Sequence, residues 1–138
     1  NTESRISGYN SLLDQTAYEL EENRKKFRLS NLTAVAGAAP AACRDLPAPT
    51  HVFIGGSGGN LRDIIALALE KNPKVRIVAA AIALETAAEL TACAKEFPFT
   101  YTETVSLTVA RDRRAGPYRL MTGQNPVYLF TFGWEETV

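Results

Sequence analysis

Residues 52–61, VFIGGSGGNL, restrict what this chain can become more than any other stretch. An apolar run, Val52-Phe53-Ile54, leads into Gly55-Gly56-Ser57-Gly58-Gly59 and then into Asn60-Leu61. The apolar run reads as a short buried strand, and Asn60 as the N-cap of a following helix. A strand that passes through glycines into a helix N-terminus is where an α/β sheet receives ligands. Backbone N–H groups are unpaired there, and no side chain blocks a close approach. The competing reading is a glycine-rich connection without a ligand. A P-loop is excluded because no Lys follows the last glycine, and GxGxxG spacing is absent as well.

The flanks decide the class. Leu61, Ile64, Ile65, Ala68 and Leu69 recur at three- and four-residue steps and predict a helix over Asn60–Lys71, stopped by Asn72-Pro73. Val75–Ala81 reads as a strand, and Glu85–Glu96 as an Ala-rich helix ended near Pro98. Tyr101–Val109 alternates, with Tyr101, Glu103, Val105, Leu107 and Val109 on one face, and predicts a strand. Arg111–Pro117 reads as a basic turn and Pro126–Phe132 as the last strand. Upstream, a helix is expected over Gln15–Arg28, acidic early and basic late as the helix dipole favours, with Glu21–Lys25 and Glu22–Lys26 at i,i+4. Leu32–Ala36 reads as a strand ended by Gly37, Ala38–Cys43 as a short helix around Pro40, and Asp45–Pro49 as a loop before the strand His51–Ile54. Residues 1–13 show no clear period. This alternation implies an α/β fold with a mostly parallel sheet. The final two strands, joined without a helix, should pair antiparallel.

At 138 residues the chain can bury the core of one domain. Fifteen basic residues offset fifteen acidic ones, so no global field points to nucleic acid or a membrane surface. No apolar run approaches the roughly 18 residues that span a bilayer, so no membrane partner is expected. Cys43 and Cys93, each in an Ala-rich helical setting, read as free buried thiols, and with one histidine they make a metal site unlooked for. A cytoplasmic location is the expectation.

Several short segments then carry a resemblance. Glu22-Asn23-Arg24-Lys25-Lys26-Phe27, Asn31-Leu32-Thr33, Ala39-Pro40, Leu46-Pro47-Ala48-Pro49 and Val52 through Gly59 resemble the precorrin-6Y methyltransferases (decarboxylating) of cobalamin biosynthesis. Leu84-Glu85-Thr86, Val109-Ala110-Arg111 and Gln124-Asn125-Pro126-Val127 follow in the same order. The resemblance implies the class I S-adenosylmethionine methyltransferase fold, a Rossmann-like three-layer sandwich whose last strand is antiparallel. It also implies methylation of a precorrin meso carbon coupled to loss of an acetate carboxyl group. In this family a glycine-rich motif on the first strand holds the cofactor. No such motif precedes residue 15, where Gly8 is the sole glycine. The first strands are therefore expected to be missing from this chain. That would leave the strands at 32–36 and 51–54 bordering an opening for further residues or partner chains to cover.

The resemblance also distributes roles. Gly55, Gly56, Ser57, Gly58 and Gly59 would lie under a flat tetrapyrrole, and Arg111 and Arg113, within the cluster Arg111, Arg113, Arg114 and Arg119, would bind its carboxylates. A solvated basic loop is the alternative for that cluster. Gly37, Ala38 and Ala39 would face the adenine of S-adenosylmethionine, and Asp14 would stand for the acidic ribose-binding position. Glu85 reads as a helix-capping acid. No catalytic nucleophile and no metal ligand is assigned, and a homo-oligomer, dimer or tetramer, is expected. A non-catalytic module of the same fold and a methyltransferase for another small molecule are the alternatives.

Overall fold

The computed structural model describes residues 9–56 and 59–135, and the chain divides into two units, Asn1–Leu46 and Pro47–Val138. In the second unit the strand before the glycines forms at His51–Ile54 (β1). Helix α2 (Leu61–Lys71), strand β2 (Arg76–Ala81), helix α3 (Leu84–Glu96) and strand β3 (Tyr101–Leu107) follow. A hairpin of β4 (Ala110–Ala115) and β5 (Tyr118–Gly123) precedes the last strand, β6 (Val127–Gly133).

β1, β2, β6 and β3 form one sheet in that order. β1 and β2 are parallel, and β6 runs antiparallel to both β2 and β3. Three strands thus point one way and the last strand is the reversed one, as its sequence position predicts. β1 lies at the edge of this order.

Burial follows the pleat. Ile54, Ile77, Ala79, Ala81, Phe130 and Phe132 line one face and join Leu61, Ile65 and Ala68 of α2 and Leu90 and Cys93 of α3 in a single core. Both helices therefore cover the same face of the sheet. This is what the three- and four-residue spacing of apolar positions in α2 requires. Truncating a fully buried member such as Ile65 would cost about 2–5 kcal/mol. Across the helix layer, Arg62 of α2 reaches Glu89 and Glu96 of α3 at 2.8 and 2.9 Å.

The edge of the sheet away from the glycines, where β1, β2 and β3 begin, is tied by polar contacts. The Asn72 side-chain amide donates to the Pro49 carbonyl (2.9 Å), and its oxygen accepts the Lys74 N–H (3.0 Å). The Arg76 N–H donates to the Thr50 carbonyl (3.0 Å), and the Trp134 indole N–H donates to the Pro73 carbonyl. The Glu135 N–H donates to Thr100 Oγ1 (3.1 Å).

In the first unit, helix α1 runs Tyr9–Lys26, earlier at both ends than its charge pattern predicts. Glu21 pairs with Arg24 at 2.9 Å, an i,i+3 contact in place of the expected pair with Lys25. The helix closes with Leu29 N–H on the Arg24 carbonyl (2.9 Å) and Arg28 N–H on the Lys25 carbonyl (3.2 Å). Arg28 takes φ +54 to make this left-handed cap.

Several expectations need correction. Leu32–Ala36 is not a strand. An apolar stretch becomes a strand only when another strand satisfies its backbone groups, and among the described residues none pairs with it. Arg111–Pro117 is not a basic turn either. Its residues form β4 up to Ala115, and the turn is Gly116-Pro117 alone, with Gly116 at φ +61 as a tight hairpin of this kind requires. The strand before it ends at Leu107, short of Val109. Ala38–Cys43 contracts to one 3₁₀ turn, Ala41–Cys43. Both cysteines are free, Cys93 buried and Cys43 half-buried.

Candidate active site at the carboxyl edge of the sheet

The glycines leave β1 at its carboxyl end. Gly55, Gly56 and Gly59 are exposed, whereas Ser57 and Gly58 lie outside the described residues. The three described glycines are glycine for different reasons. Gly59 sits at φ +93, a conformation that L side chains rarely adopt. A Cβ at Gly55 would come to 3.3 Å of the Phe53 ring. At Gly56 a Cβ would meet nothing within 4 Å, and its backbone is outside the left-handed region. Among the described residues nothing therefore demands glycine at 56. Asn60 occupies the N-cap position, its carbonyl accepting the Ile64 N–H (3.0 Å), but makes no side-chain capping bond.

Because β1, β2 and β3 are parallel, their carboxyl ends share one edge with the start of the reversed β6. Four segments lie along it: Gly55 and Gly56 after β1, Ile82–Thr86 after β2, Thr108–Arg111 after β3, and Gln124–Pro126 before β6. The Gln124 N–H donates to the Val109 carbonyl (2.8 Å), which fastens the last two together at the base of the hairpin. The segments of this unit that follow the proline loop and carry the resemblance are these same four. In α/β sheets this edge is where ligands bind.

The hairpin sorts the arginine cluster into two faces. Arg111 and Arg113 share a face with Tyr118, Leu120 and Thr122, and Arg113 Nε donates to Thr122 Oγ1 (3.1 Å). Arg114 and Arg119 share the other with Asp112, which pairs with Arg119 at 2.6 Å. The four do not form one patch. Among the described residues, Arg111 and Arg113 have no acidic partner.

The residues expected at the cofactor lie in the first unit. Gly37 takes φ +133, and a Cβ there would fall 2.8 Å from the Ala42 Cβ, so its own chain requires this glycine. Ala38 and Ala39 are half-buried, and the Ala38 carbonyl accepts the Ala42 N–H (2.9 Å). Asp14 lies inside α1, not ahead of it as its sequence position suggests.

The groups whose ionisation the fold shifts stand in the helix layer and at the amino edge. Burial pushes the Cys93 thiol up, and the hydrogen bond from Arg62 holds the Glu96 carboxyl below its ordinary value. Partial desolvation raises the Tyr101 phenol. Among the described residues no group of three or more His, Cys, Asp or Glu is placed to hold a metal ion, and no helix is long and apolar enough to cross a membrane. Among the described residues, the carboxyl edge offers exposed backbone, apolar surface, the Glu85 carboxylate and two guanidinium groups without an acidic partner.

A family model described as precorrin methyltransferase domain matches residues 12–133. The chain belongs to this family. Among curated relatives of the precorrin methyltransferase domain, a probable cobalt-precorrin-6B C(15)-methyltransferase (decarboxylating) of Pyrobaculum calidifontis is 36% identical over 112 residues, 80% of this chain and 57% of its own length. A protein of the same name from Methanothermobacter thermautotrophicus is 36% identical over 104 residues, 75% of this chain and 54% of its own. This chain thus spans a little over half the length of the curated relatives it matches. A crystal structure of precorrin-6y C5,15-methyltransferase from Geobacter metallireducens superposes with a TM-score of 0.73 at 33% identity, covering 82% of this chain and 60% of that one. That of precorrin 8W decarboxylase from Methanobacterium thermoautotrophicum gives 0.77 at 32% identity, covering 86% and 64%. A SAM-dependent O-methyltransferase of Thermotoga maritima, 13% identical with a TM-score of 0.63, shares the fold alone. The fold is that of the class I S-adenosylmethionine-dependent methyltransferases, as the resemblance implies.

The sequence reading assigned no role to Ile82 or Leu84, though both stand exposed at this edge. The signal that finds them is position: they directly follow the carboxyl end of a parallel strand.

Proposed function

We propose that this domain takes part in methylating a cobalt-precorrin at C15 and removing a carboxyl group from it, in cobalamin biosynthesis, with S-adenosylmethionine as methyl donor. The observation that supports this reading is that the four segments lie along one carboxyl edge of the sheet, with the exposed Gly55 and Gly56 at its β1 end. The substrate, position and metal come from what the curated relatives are named for.

In this reading Gly55, Gly56, Ser57, Gly58 and Gly59 support the flat face of the tetrapyrrole, and Arg111 and Arg113 take its carboxylates. The cofactor side is assigned to Gly37, Ala38, Ala39 and Asp14. Since Gly37 already answers to Ala42, the small half-buried Ala38 and Ala39 are the ones that make room for the adenine. When bound, the cofactor supplies an electrophilic methyl group. The protein's task is to hold the ring carbon in line with it and keep water away, and good alignment alone is worth effective molarities of about 10⁵ M or more. No protein nucleophile is needed. A cytoplasmic homo-oligomer, dimer or tetramer, belongs to the same proposal.

The test is to incubate the full-length protein with S-adenosylmethionine and cobalt-precorrin-6B and follow the product by mass spectrometry. Gain of one methyl group and loss of one carbon dioxide is expected. Unchanged substrate, with no calorimetric heat for S-adenosylmethionine at millimolar concentration, overturns the reading in favour of a non-catalytic module.

A further inference from the structure

The hairpin holds one side-chain bond whose direction its register does not require. Arg113 faces Leu120 across the ladder, and Arg111 faces Thr122. Arg113 Nε nonetheless donates to Thr122 Oγ1 (3.1 Å), on the residue opposite Arg111. The Arg113 side chain therefore leans along the hairpin toward the Arg111–Thr122 row, which lies about 7 Å nearer the hairpin base. That base is the end fastened at the carboxyl edge by the bond from the Gln124 N–H to the Val109 carbonyl. Thr122 is half-buried, whereas the other residues of β5 are exposed.

Charge repulsion opposes this lean. Arg111 and Arg113 share a face, and among the described residues neither has an acidic partner. Like charges brought together on one face of a β ladder destabilise it. A bond that draws one guanidinium toward the other's row therefore costs energy unless an anion joins them. On the opposite face the chain supplies that anion itself: Arg114 stands directly across from Arg119, and Asp112 pairs with Arg119 at 2.6 Å. The acceptor on the Arg111 and Arg113 face is a neutral hydroxyl, which holds Nε and adds no charge. Both Nη atoms of Arg113 and the whole Arg111 guanidinium are left to donate. Guanidinium groups bind carboxylates through paired, parallel hydrogen bonds, and this end of the hairpin adjoins the edge where α/β sheets take ligands.

Resting on the reading of the substrate given above, we propose that Thr122 is a positioning residue. Its hydroxyl holds the Arg113 guanidinium back toward Arg111, so that the two arginines take the carboxylate rim of the tetrapyrrole together. Thr122 acts through Arg113 and need not touch the substrate. Its contribution is to binding, so its loss appears in KM and leaves kcat in place.

The experiment varies cobalt-precorrin-6B at saturating S-adenosylmethionine in the full-length protein. Wild type is compared with Thr122→Val, Thr122→Ser, Arg113→Ala and the double variant Arg113→Ala, Thr122→Val. Valine keeps the shape of threonine and suits a strand, so the hairpin should persist, and circular dichroism checks the fold. Thr122→Val should raise KM about fivefold with kcat within about twofold, and Thr122→Ser, which keeps the hydroxyl, should retain the wild-type KM. Arg113→Ala should raise KM about tenfold. Adding Thr122→Val to it should change KM by less than about twofold, because no guanidinium is left to hold. A Thr122→Val effect of the same size with and without Arg113 overturns the inference, since the threonine would then act on the hairpin as a whole. An unchanged KM in Thr122→Val, or a fall in kcat at unchanged KM, also overturns it. A wild type that fails to turn over the substrate overturns the functional reading, and this inference falls with it.

Discussion

The two edges of the four-stranded sheet are built differently. At the amino edge, Asn72, Arg76, Trp134 and Glu135 tie the connections to one another through hydrogen bonds to Pro49, Thr50, Pro73 and Thr100. At the carboxyl edge, the loops carry exposed glycines and exposed apolar side chains, with the Gln124–Val109 bond as their backbone tie across the hairpin base. Hydrogen bonds that close one edge stabilise the fold, while open backbone at the other leaves room for a ligand. The contrast implies a division of labour: substitutions at the amino edge should change stability and spare activity, and those at the carboxyl edge should do the reverse.

The largest expected stability effect at the amino edge is Asn72→Ala. It removes the bond to the Pro49 carbonyl and the acceptor for the Lys74 N–H. Two such bonds, with a part-buried carbonyl left unpaired, should cost about 2 kcal/mol in urea denaturation. The kcat/KM of the folded enzyme should not move, and if activity fell in proportion the division would be broken. Trp134→Phe keeps the ring and removes the donor to Pro73, and should cost about 1 kcal/mol, again at constant activity.

The smallest effect belongs to neither edge. Arg62 holds the Glu96 carboxyl below its ordinary value through their hydrogen bond, on an exposed surface. A carboxyl with a depressed folded-state pKa stabilises above its unfolded value, near 4.3, and loses that contribution as pH falls through the folded value. Thermal melts of Arg62→Ala should therefore lie slightly below wild type at pH 7 and converge with it in acid. A gap that widened in acid would reverse the assignment.

Much of this was legible in the sequence, for a reason that also explains what was not. Helix α2 and strands β1 and β2 each bury one face, and burial leaves a period that Leu61, Ile65 and Ala68 or Ile77, Ala79 and Ala81 display. The hairpin buries neither face. Residues 110–115, ARDRRA, therefore have no apolar alternation and pass for a basic turn. Leu32–Ala36 fails in the opposite direction, since apolar composition says nothing about whether a pairing strand is present. At the site, the glycines were visible but their reasons were not. Gly37 and Gly56 look alike as letters, yet a Cβ at the first strikes Ala42 and at the second meets nothing within 4 Å among the described residues. The arginine cluster likewise looked like one patch until the register of β4 on β5 divided it.

Gly56→Ala tests the central claim most directly, because the added Cβ meets nothing within 4 Å among the described residues. Methyl transfer to cobalt-precorrin-6B and thermal stability should be measured on the same preparation. The account predicts an unchanged Tm and a loss of about a hundredfold in kcat/KM, the scale on which small misplacements of a reacting group act. An alanine variant with wild-type turnover would contradict it, and would leave the glycine loop as a connection and nothing more.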